Sequence, residues 1–162
     1  MDVCVDIFLP RLWPMAGLRQ ERREFMWEGV VHPQEPETYR WGRQVELRKY
    51  AQPPTHLLTR LPQGLFQNGW SYFALEGNGL DLLSREVNGQ EVEWDEHPLE
   101  VFFLEQLSKN DRWAVVFSPH CDQLDFSQET TAEGFMTLLK AQLNWKQERK
   151  GFIAWRRSSS GT

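Results

Sequence analysis

Apolar residues along the chain fall into short blocks that prolines, glycines and polar stretches interrupt. The blocks from Val3 to Leu9, Trp113 to Phe117 and Gly151 to Trp155 are rich in Val, Ile, Phe and Trp, which favour strands. Each block is shorter than a typical helix and ends at a turn-forming or polar stretch. We therefore predict a strand in each block, and another over Tyr39 to Tyr50, where apolar and polar residues partly alternate.

The segment from Trp70 to Trp94 has the clearest local pattern. Asn88-Gly89 stands between two strand-like runs. This dipeptide is a strong hairpin signal, because a type I′ turn needs positive φ at both central residues. The run from Trp70 to Leu75 precedes it and has strong strand propensity. The sequence therefore predicts a three-stranded antiparallel meander over about residues 70–94.

Two later segments have the spacing of helices. Pro98 suits the first turn of a helix over about residues 98–109, and Leu and Phe residues follow on one face. Ser127 or Thr130 is expected to cap a second helix over about residues 130–144, and Glu133 lies three residues after Thr130, which is the spacing of a capping box. Weaker patterns favour a short helix over Leu18 to Trp27 and a strand over Thr55 to Leu61.

Together these elements predict an α+β fold. The strands form a local antiparallel run, the two clear helices come late, and no β-α-β-α alternation is present, so both helices are expected on one face of an antiparallel sheet. The chain has 162 residues, of which 40% are hydrophobic and 25% charged. This balance fits a single globular domain over residues 1–157 with a polar tail over residues 158–162.

The ends of the chain and its cysteines suggest a compartment. No apolar run reaches the roughly 18 residues of a membrane-spanning helix. The first ten residues contain Asp2 and Asp6 and lack the basic start of a signal peptide. Two cysteines, Cys4 and Cys121, are too few for a disulfide framework. We therefore expect both thiols to be reduced and the protein to be cytoplasmic.

Charge is distributed unevenly along the chain. The net charge is −5, but residues 140–162 hold six basic residues and one acidic residue, a net of +5, so the first 139 residues carry −10. Between Asp81 and Glu105, eight acidic residues accompany one basic residue, a net of −7. A protein surface with this negative charge attracts basic protein partners and repels the phosphates of nucleic acid. The alternatives are an ordinary solvated surface, and nucleic-acid binding by the basic end, which the −10 disfavours.

Tryptophan in polar surroundings supplies the candidate binding residues. The chain has eight tryptophans, and Trp94 lies within the acidic stretch. Tryptophan is enriched at binding hot spots because it brings a large contact area. We therefore predict a partner-binding set of Glu91, Glu93, Trp94, Asp95, Glu96 and Trp41. The alternative is that tryptophans fill the core, which we favour for Trp70 and Trp113 and weigh equally for Trp41 and Trp94.

One segment contains residue types used in catalysis. Ser118-Pro119-His120-Cys121-Asp122 follows an expected buried strand and holds a nucleophile type, a base type and a carboxylate. Adjacent residues seldom converge on one point, so an enzyme that uses His120, Cys121 and Asp122 is the least favoured alternative. The four histidines lack metal-ligand spacing. We therefore expect no metal, no cofactor and no catalytic residue.

The later part of the chain resembles a known class of proteins. The apolar helix from Pro98, the strand Asp111-Arg112-Trp113-Ala114-Val115-Val116-Phe117, the polar exit to Asp122 and the capped helix from Thr130 together resemble bacterial toxin-immunity proteins of the contact-dependent or polymorphic-toxin type. The resemblance implies a non-enzymatic cytosolic protein that binds one toxin, a basic toxin domain being the partner that its charge suits, and blocks the active site. It carries over no functional residue. The alternative is an adaptor or chaperone-like protein for a secreted effector.

Overall fold

A computed structural model describes residues 4–11, 17–21, 24–33, 37–42, 45–66, 69–75, 86–87, 90–91, 97–119, 124–142 and 150–157. This part of the chain contains twelve strands and three helices. The strands are β1 (Cys4–Pro10), β2 (Leu18–Glu21), β3 (Glu24–Trp27), β4 (Val30–Pro33), β5 (Glu37–Trp41), β6 (Val45–Tyr50), β7 (Trp70–Leu75), β8 (Glu86–Val87), β9 (Gln90–Glu91), β10 (Trp113–Ser118), β11 (Phe126–Glu129) and β12 (Phe152–Arg156). The helices are α1 (Thr55–Leu58), α2 (Pro98–Ser108) and α3 (Ala132–Gln142).

Eight of these strands form one sheet in the order β11-β12-β10-β1-β7-β6-β5-β2. Its neighbouring strands are antiparallel, with the exception of β11 and β12, which are parallel and are connected through α3. Strand β1 lies inside the sheet, between β10 and β7, with Cys4 opposite Ser118 and Ile7 opposite Phe73. The other four strands form two separate hairpins, β3–β4 and β8–β9.

Both faces of the large sheet are covered. On one face, Ile7 of β1 and Trp113 of β10 pack in a single core with Phe103 of α2 and Phe135 of α3. On the opposite face, Phe8 and its neighbours pack against α1 and the segment that follows it, through Leu57 and Leu65. Because both faces of the central strands are buried, these strands are apolar at consecutive positions. This explains the apolar blocks of the sequence.

Side chains fix the start of each long helix. His97 precedes α2, and its Nδ1 accepts the backbone N–H of Leu99 at 3.2 Å. Thr131 precedes α3, and its Oγ1 accepts the N–H of Gly134 at 3.1 Å. The α+β class and the two helices on one face are thus confirmed, although the side chain that caps α3 belongs to Thr131 and not to the predicted Thr130.

Three local predictions are wrong, each for a reason of pairing or turn chemistry. Both edges of β7 are occupied by β1 and β6, so β8 and β9 pair only with each other and the meander holds for its hairpin alone. The predicted helix over residues 18–27 is β2 and β3, because pairing with β5 and β4 overrides a weak helical spacing. The predicted strand over residues 55–61 begins as α1, where Leu57 N–H donates to Pro54 O at 3.0 Å.

The predicted strand over Tyr39 to Tyr50 divides into β5 and β6. The chain reverses at Gly42, which has φ of +62° and follows the last residue of β5. Glycine suits this position because it adopts positive φ without steric cost. The tail over residues 158–162 lies outside the described residues.

Candidate functional site

The β3–β4 hairpin is a two-residue turn between two four-residue strands. Met26 lies opposite Val31, and Trp27 lies opposite Val30. The turn residues Glu28 and Gly29 have φ of +50° and +77°. Positive φ at both central positions is the requirement of a type I′ turn, which matches the twist of paired strands. The hairpin is therefore a regular one, and it pairs with no strand of the large sheet.

Four apolar side chains at the end of this hairpin are exposed. The exposed fractions are 64% for Met26, 65% for Trp27, 55% for Val30 and 54% for Val31. We call residues 26–31 the hairpin tip. Among the described residues, the remaining large apolar side chain with comparable exposure is Val101 of α2, at 41%. Single exposed apolar residues are ordinary, whereas four adjacent ones make this hairpin unusual among the described residues.

The strands that lead to the hairpin tip belong to the large sheet. Chain segments β2 and β5 flank the hairpin in sequence and pair with each other at the sheet edge. Arg40 of β5 donates to Glu21 of β2 at 2.6 Å and to Glu46 of β6 at 3.3 Å. These ion pairs are partly exposed and add modest stability each, but together they connect three neighbouring strands. We call these two paired strands, β2 and β5, the stem of the hairpin.

Tyr39 reinforces the same stem from the other face of β5. Its hydroxyl donates to Oε2 of Glu37 at 2.9 Å. Burial raises the pKa of Tyr39 to about 12, and the hydrogen bond and negative charge of Glu37 act in the same direction. The ring also lies edge-on to Phe73, with centroids 5.8 Å apart. Tyr39 is therefore protonated at neutral pH and serves as a packed hydrogen-bond donor.

Trp41, one of the predicted binding residues, is half-buried in β5. Its ring lies edge-on to Phe102 of α2 with centroids 5.7 Å apart. A side chain at Gly17 would come within 3.0 Å of Trp41 Nε1, so the glycine leaves room for the indole. Packing against α2 explains why Trp41 is half-buried. Its part in partner binding stays a prediction.

The structure describes only a part of the acidic stretch. The backbone of Glu91 lies in β9, opposite Glu86 of β8. Within the described residues, Glu100 is buried and accepts from Lys140 Nζ at 2.9 Å, which joins α2 to α3. Glu105 accepts from Lys109 one turn later in α2, at 3.4 Å. Two of the eight acidic groups are therefore paired within the protein.

The other predicted binding residues, Glu93, Trp94, Asp95 and Glu96, lie outside the described residues, so their part in binding stays a prediction. Trp70 and Trp113 are described. Trp113 is fully buried, and the half-buried Trp70 packs edge-on against Phe8 with centroids 5.9 Å apart. The core assignment of these two tryptophans agrees with their positions.

Cys4 forms a disulfide bond, so the prediction that both thiols are reduced is wrong. The chain has one other cysteine, Cys121, which lies outside the described residues. The pairing of β1 with β10 supplies the physical reason, because it places Cys4 opposite Ser118, three positions before Cys121. The sequence could not indicate this, because the pairing joins segments more than a hundred residues apart.

The polar exit of β10 is described only at its start. Ser118 is fully buried, and its Oγ has no hydrogen-bond partner among the described residues. No base therefore activates this hydroxyl in the part of the chain that the structure describes. His120, Cys121 and Asp122 lie outside that part. An enzyme that used Cys121 would need it as a free thiolate.

A buried hydrogen-bonded pair joins two central strands of the sheet. The hydroxyl of Tyr72 in β7 donates to Oδ1 of Asp6 in β1, and both residues are buried. They share a face with Phe8, under the layer that contains α1. A buried hydrogen-bonded pair of this kind is a structural feature of the core.

Searches for other kinds of site and for relatives were negative. Among the described residues, no group of three or more His, Cys, Asp or Glu could hold a metal ion, and none of the described helices has the length and hydropathy of a membrane span. Comparisons with protein-family models, curated proteins and solved structures found no match to this chain. The hairpin tip is thus the feature on which a functional proposal can rest. The sequence signal was Glu28-Gly29 between Phe25-Met26-Trp27 and Val30-Val31.

Proposed function

We propose that this chain is a non-enzymatic binding protein that neutralises a toxin by covering its active site. The observation that supports a binding role is the hairpin tip, where Met26, Trp27, Val30 and Val31 are all more than half exposed. Removing such a surface from water is the main driving force of protein association. The resemblance of the later chain to toxin-immunity proteins supports the choice of a toxin as the partner.

Charge supports a basic partner. The net charge of −5 and the net −7 between Asp81 and Glu105 complement a cationic active-site cleft. In this proposal Glu91, Glu93, Asp95 and Glu96 form an acidic edge with Trp94 as an aromatic anchor. Charges at the rim of an interface act mainly on the association rate, whereas buried aromatic anchors act on dissociation.

The disulfide bears on the compartment. Disulfides persist in oxidising compartments and are rare in the cytosol. The bond at Cys4 therefore favours an extracytoplasmic site over the cytoplasm that the sequence suggested. Thiol trapping of the chain inside its host decides between the two, because a cytoplasmic protein would be alkylated at both cysteines without prior reduction.

The direct test uses the protein that a pull-down with this chain captures from its native host, which we expect to contain a toxin domain. The purified domain should bind the chain and lose its activity at equimolar chain. Changing Glu91 and Glu93 to lysine should slow association and flatten its salt dependence. Trp94→Ala should raise Kd by roughly thirtyfold, the effect of about 2 kcal/mol at a hot spot. Full toxin activity at saturating chain would contradict the proposal.

The same exposed hairpin tip also fits the second candidate, an adaptor or chaperone-like protein. Such a protein would bind an apolar segment of a secreted effector instead of a folded catalytic domain. A peptide array of the partner captured by that pull-down separates the two candidates. Binding to a linear peptide favours the adaptor, and binding that requires the folded toxin domain favours neutralisation.

A further inference from the structure

The hairpin tip is apolar on both of its faces. Residues directly opposite each other in a hairpin share a face, so Met26 and Val31 lie on one face. Successive residues alternate, so Trp27 and Val30 lie on the other. All four are more than half exposed. A flat docking surface would cover one face and leave the other in water, so full burial requires an occupant that surrounds the hairpin tip.

Glu28 narrows the choice of occupant. It is exposed at the turn, so its carboxylate lies at the very end of the hairpin. Insertion into a lipid layer would carry this charge deepest, where charged side chains are costly. A net charge of −5 also opposes approach to an anionic membrane surface. Contact between the tips of two copies would bring two Glu28 carboxylates together, which like-charge repulsion disfavours.

We infer that the hairpin tip inserts into a cleft of a partner protein that has apolar walls and a lysine or arginine at its floor. The walls cover Met26 and Val31 on one side and Trp27 and Val30 on the other. The basic floor pairs with Glu28, whose charge would otherwise be buried without a partner. A cleft of this kind is the mouth of a cationic active site, so the inference rests on the proposed function and names the segment that blocks the toxin.

The stem suits this role because it reduces the conformational entropy that the hairpin loses when it binds a partner. Strands β2 and β5, which flank the hairpin in sequence, pair with each other in the large sheet, and Arg40 connects Glu21 to Glu46 across three strands. A two-residue turn leaves little loop to order. Insertion of a segment that is already folded costs less conformational entropy than insertion of a loose loop.

The test for two-sided insertion is site-specific photo-crosslinking in the native host. Benzoylphenylalanine replaces Met26 in one variant and Val30 in another, so each face of the hairpin tip carries the probe once. A third variant carries it at Val101, which is exposed on α2 and serves as the matched control. We expect adducts from positions 26 and 30 to the same protein, at different peptides, and none to that protein from position 101.

Charge reversal supplies the second arm. Glu28→Lys should lower the yield of both adducts, because it removes a buried charge pair. For the same reason it should raise the Kd between the purified chain and the purified crosslinked protein by about tenfold or more. Glu24→Lys is the control, since Glu24 is exposed in the same hairpin but lies at its far end, opposite Pro33. Glu24→Lys should change Kd by less than about fivefold, the range of a rim charge. Circular dichroism checks that each variant folds.

The outcomes separate this inference from the proposed function. Adducts to one non-toxin protein from both faces, with loss on Glu28→Lys, uphold the insertion and refute neutralisation. If Glu28→Lys binds the toxin as tightly as wild type and the hairpin tip gives no adduct with the toxin, neutralisation is upheld and the insertion is refuted. Adducts from one face alone, adducts to a second copy of the chain, no protein adduct, or flotation of the chain with vesicles of phosphatidylcholine and phosphatidylglycerol each overturn the insertion.

Discussion

Strand β10 and the hairpin tip are built from the same residue types and have opposite exposures. Trp113 and Val116 of β10 are fully buried, with exposed fractions of 0%. Trp27 and Val31 are exposed by 65% and 54%. Both segments also have regular strand pairing, so neither residue type nor backbone geometry accounts for the difference.

The neighbours of each segment account for it. Strand β10 has a strand on each edge and a covering layer on each face, whereas β3 and β4 pair only with each other. An isolated two-stranded hairpin has marginal stability in water. Burial is thus a property of the topology, and apolar residues that the topology leaves outside contribute little to folding. Their contribution is expected in a complex.

Truncating Trp113 and truncating Trp27 should have very different effects on stability. Trp113→Ala should lower the free energy of unfolding by about 3–5 kcal/mol, because it leaves a large cavity between the sheet and α3. Trp27→Ala should change it by less than about 0.5 kcal/mol, because its ring is in water. Urea denaturation followed by circular dichroism measures both. Equal losses in the two variants would contradict the comparison.

A milder variant protects this experiment if Trp113→Ala does not fold. The indole Nε1 of Trp113 is buried and has no hydrogen-bond partner among the described residues. Trp113→Phe removes that unsatisfied N–H together with part of the ring, so the two effects partly offset each other. We expect a loss of about 1–2 kcal/mol, well below the alanine variant.

The disulfide should stabilise the sheet and leave the hairpin tip unaffected. Cys4 begins β1, and an intramolecular bond to Cys121 closes a ring of roughly 120 residues, for which the loss of chain entropy predicts about 4–5 kcal/mol. Reduction should therefore lower the urea midpoint of the core. Accessibility of the hairpin tip to limited proteolysis should not change. Alkylation of two thiols in the native, unreduced protein would refute the bond.

A smaller effect is expected at the stem and depends on pH. The pKa of Tyr39 is about 12 in the folded protein, against 10.0 for an unperturbed tyrosine. Its stabilising contribution is thus complete below pH 10 and is lost as pH rises through 12. The wild type should lose on the order of 1 kcal/mol over that window that Tyr39→Phe does not lose, since solvent screens part of the effect. Tyrosinate absorbance and urea midpoints measured together check this, and parallel alkaline losses in both proteins would count against it.

The sequence was sufficient to predict those elements whose local signals agree with their tertiary pairing. The block from Trp113 to Phe117 is a buried strand, and Pro98 begins a helix as its sequence indicated. It was insufficient where a distant partner decides. Leu18 to Trp27 has a weak helical spacing, and only pairing with β5 and β4 makes it two strands. Strand β11 was missed, because its short polar sequence, Phe-Ser-Gln-Glu, becomes a strand through parallel pairing with β12.

The candidate site shows the same limit. The hairpin tip was missed because Glu28-Gly29 is a weaker turn signal than Asn-Gly, and glutamate adopts positive φ only at a cost of roughly 1–2 kcal/mol. The cost is accepted where strand pairing on both sides holds the turn. The acidic residues Glu93, Asp95 and Glu96 were selected from charge alone, which indicates a kind of partner and gives no geometry.

The position of β1 in the sheet has a consequence for synthesis of the protein. This strand is synthesised before its neighbours β7 and β10, and long stretches of chain separate it from both. At translation speeds of about 5–20 residues per second, roughly 5–20 s pass between the emergence of β1 and that of β10. Throughout this interval the apolar segment Val5–Leu9 has an open edge. We therefore expect a nascent chain of this protein to expose this edge to ribosome-associated chaperones until residue 118 has left the exit tunnel.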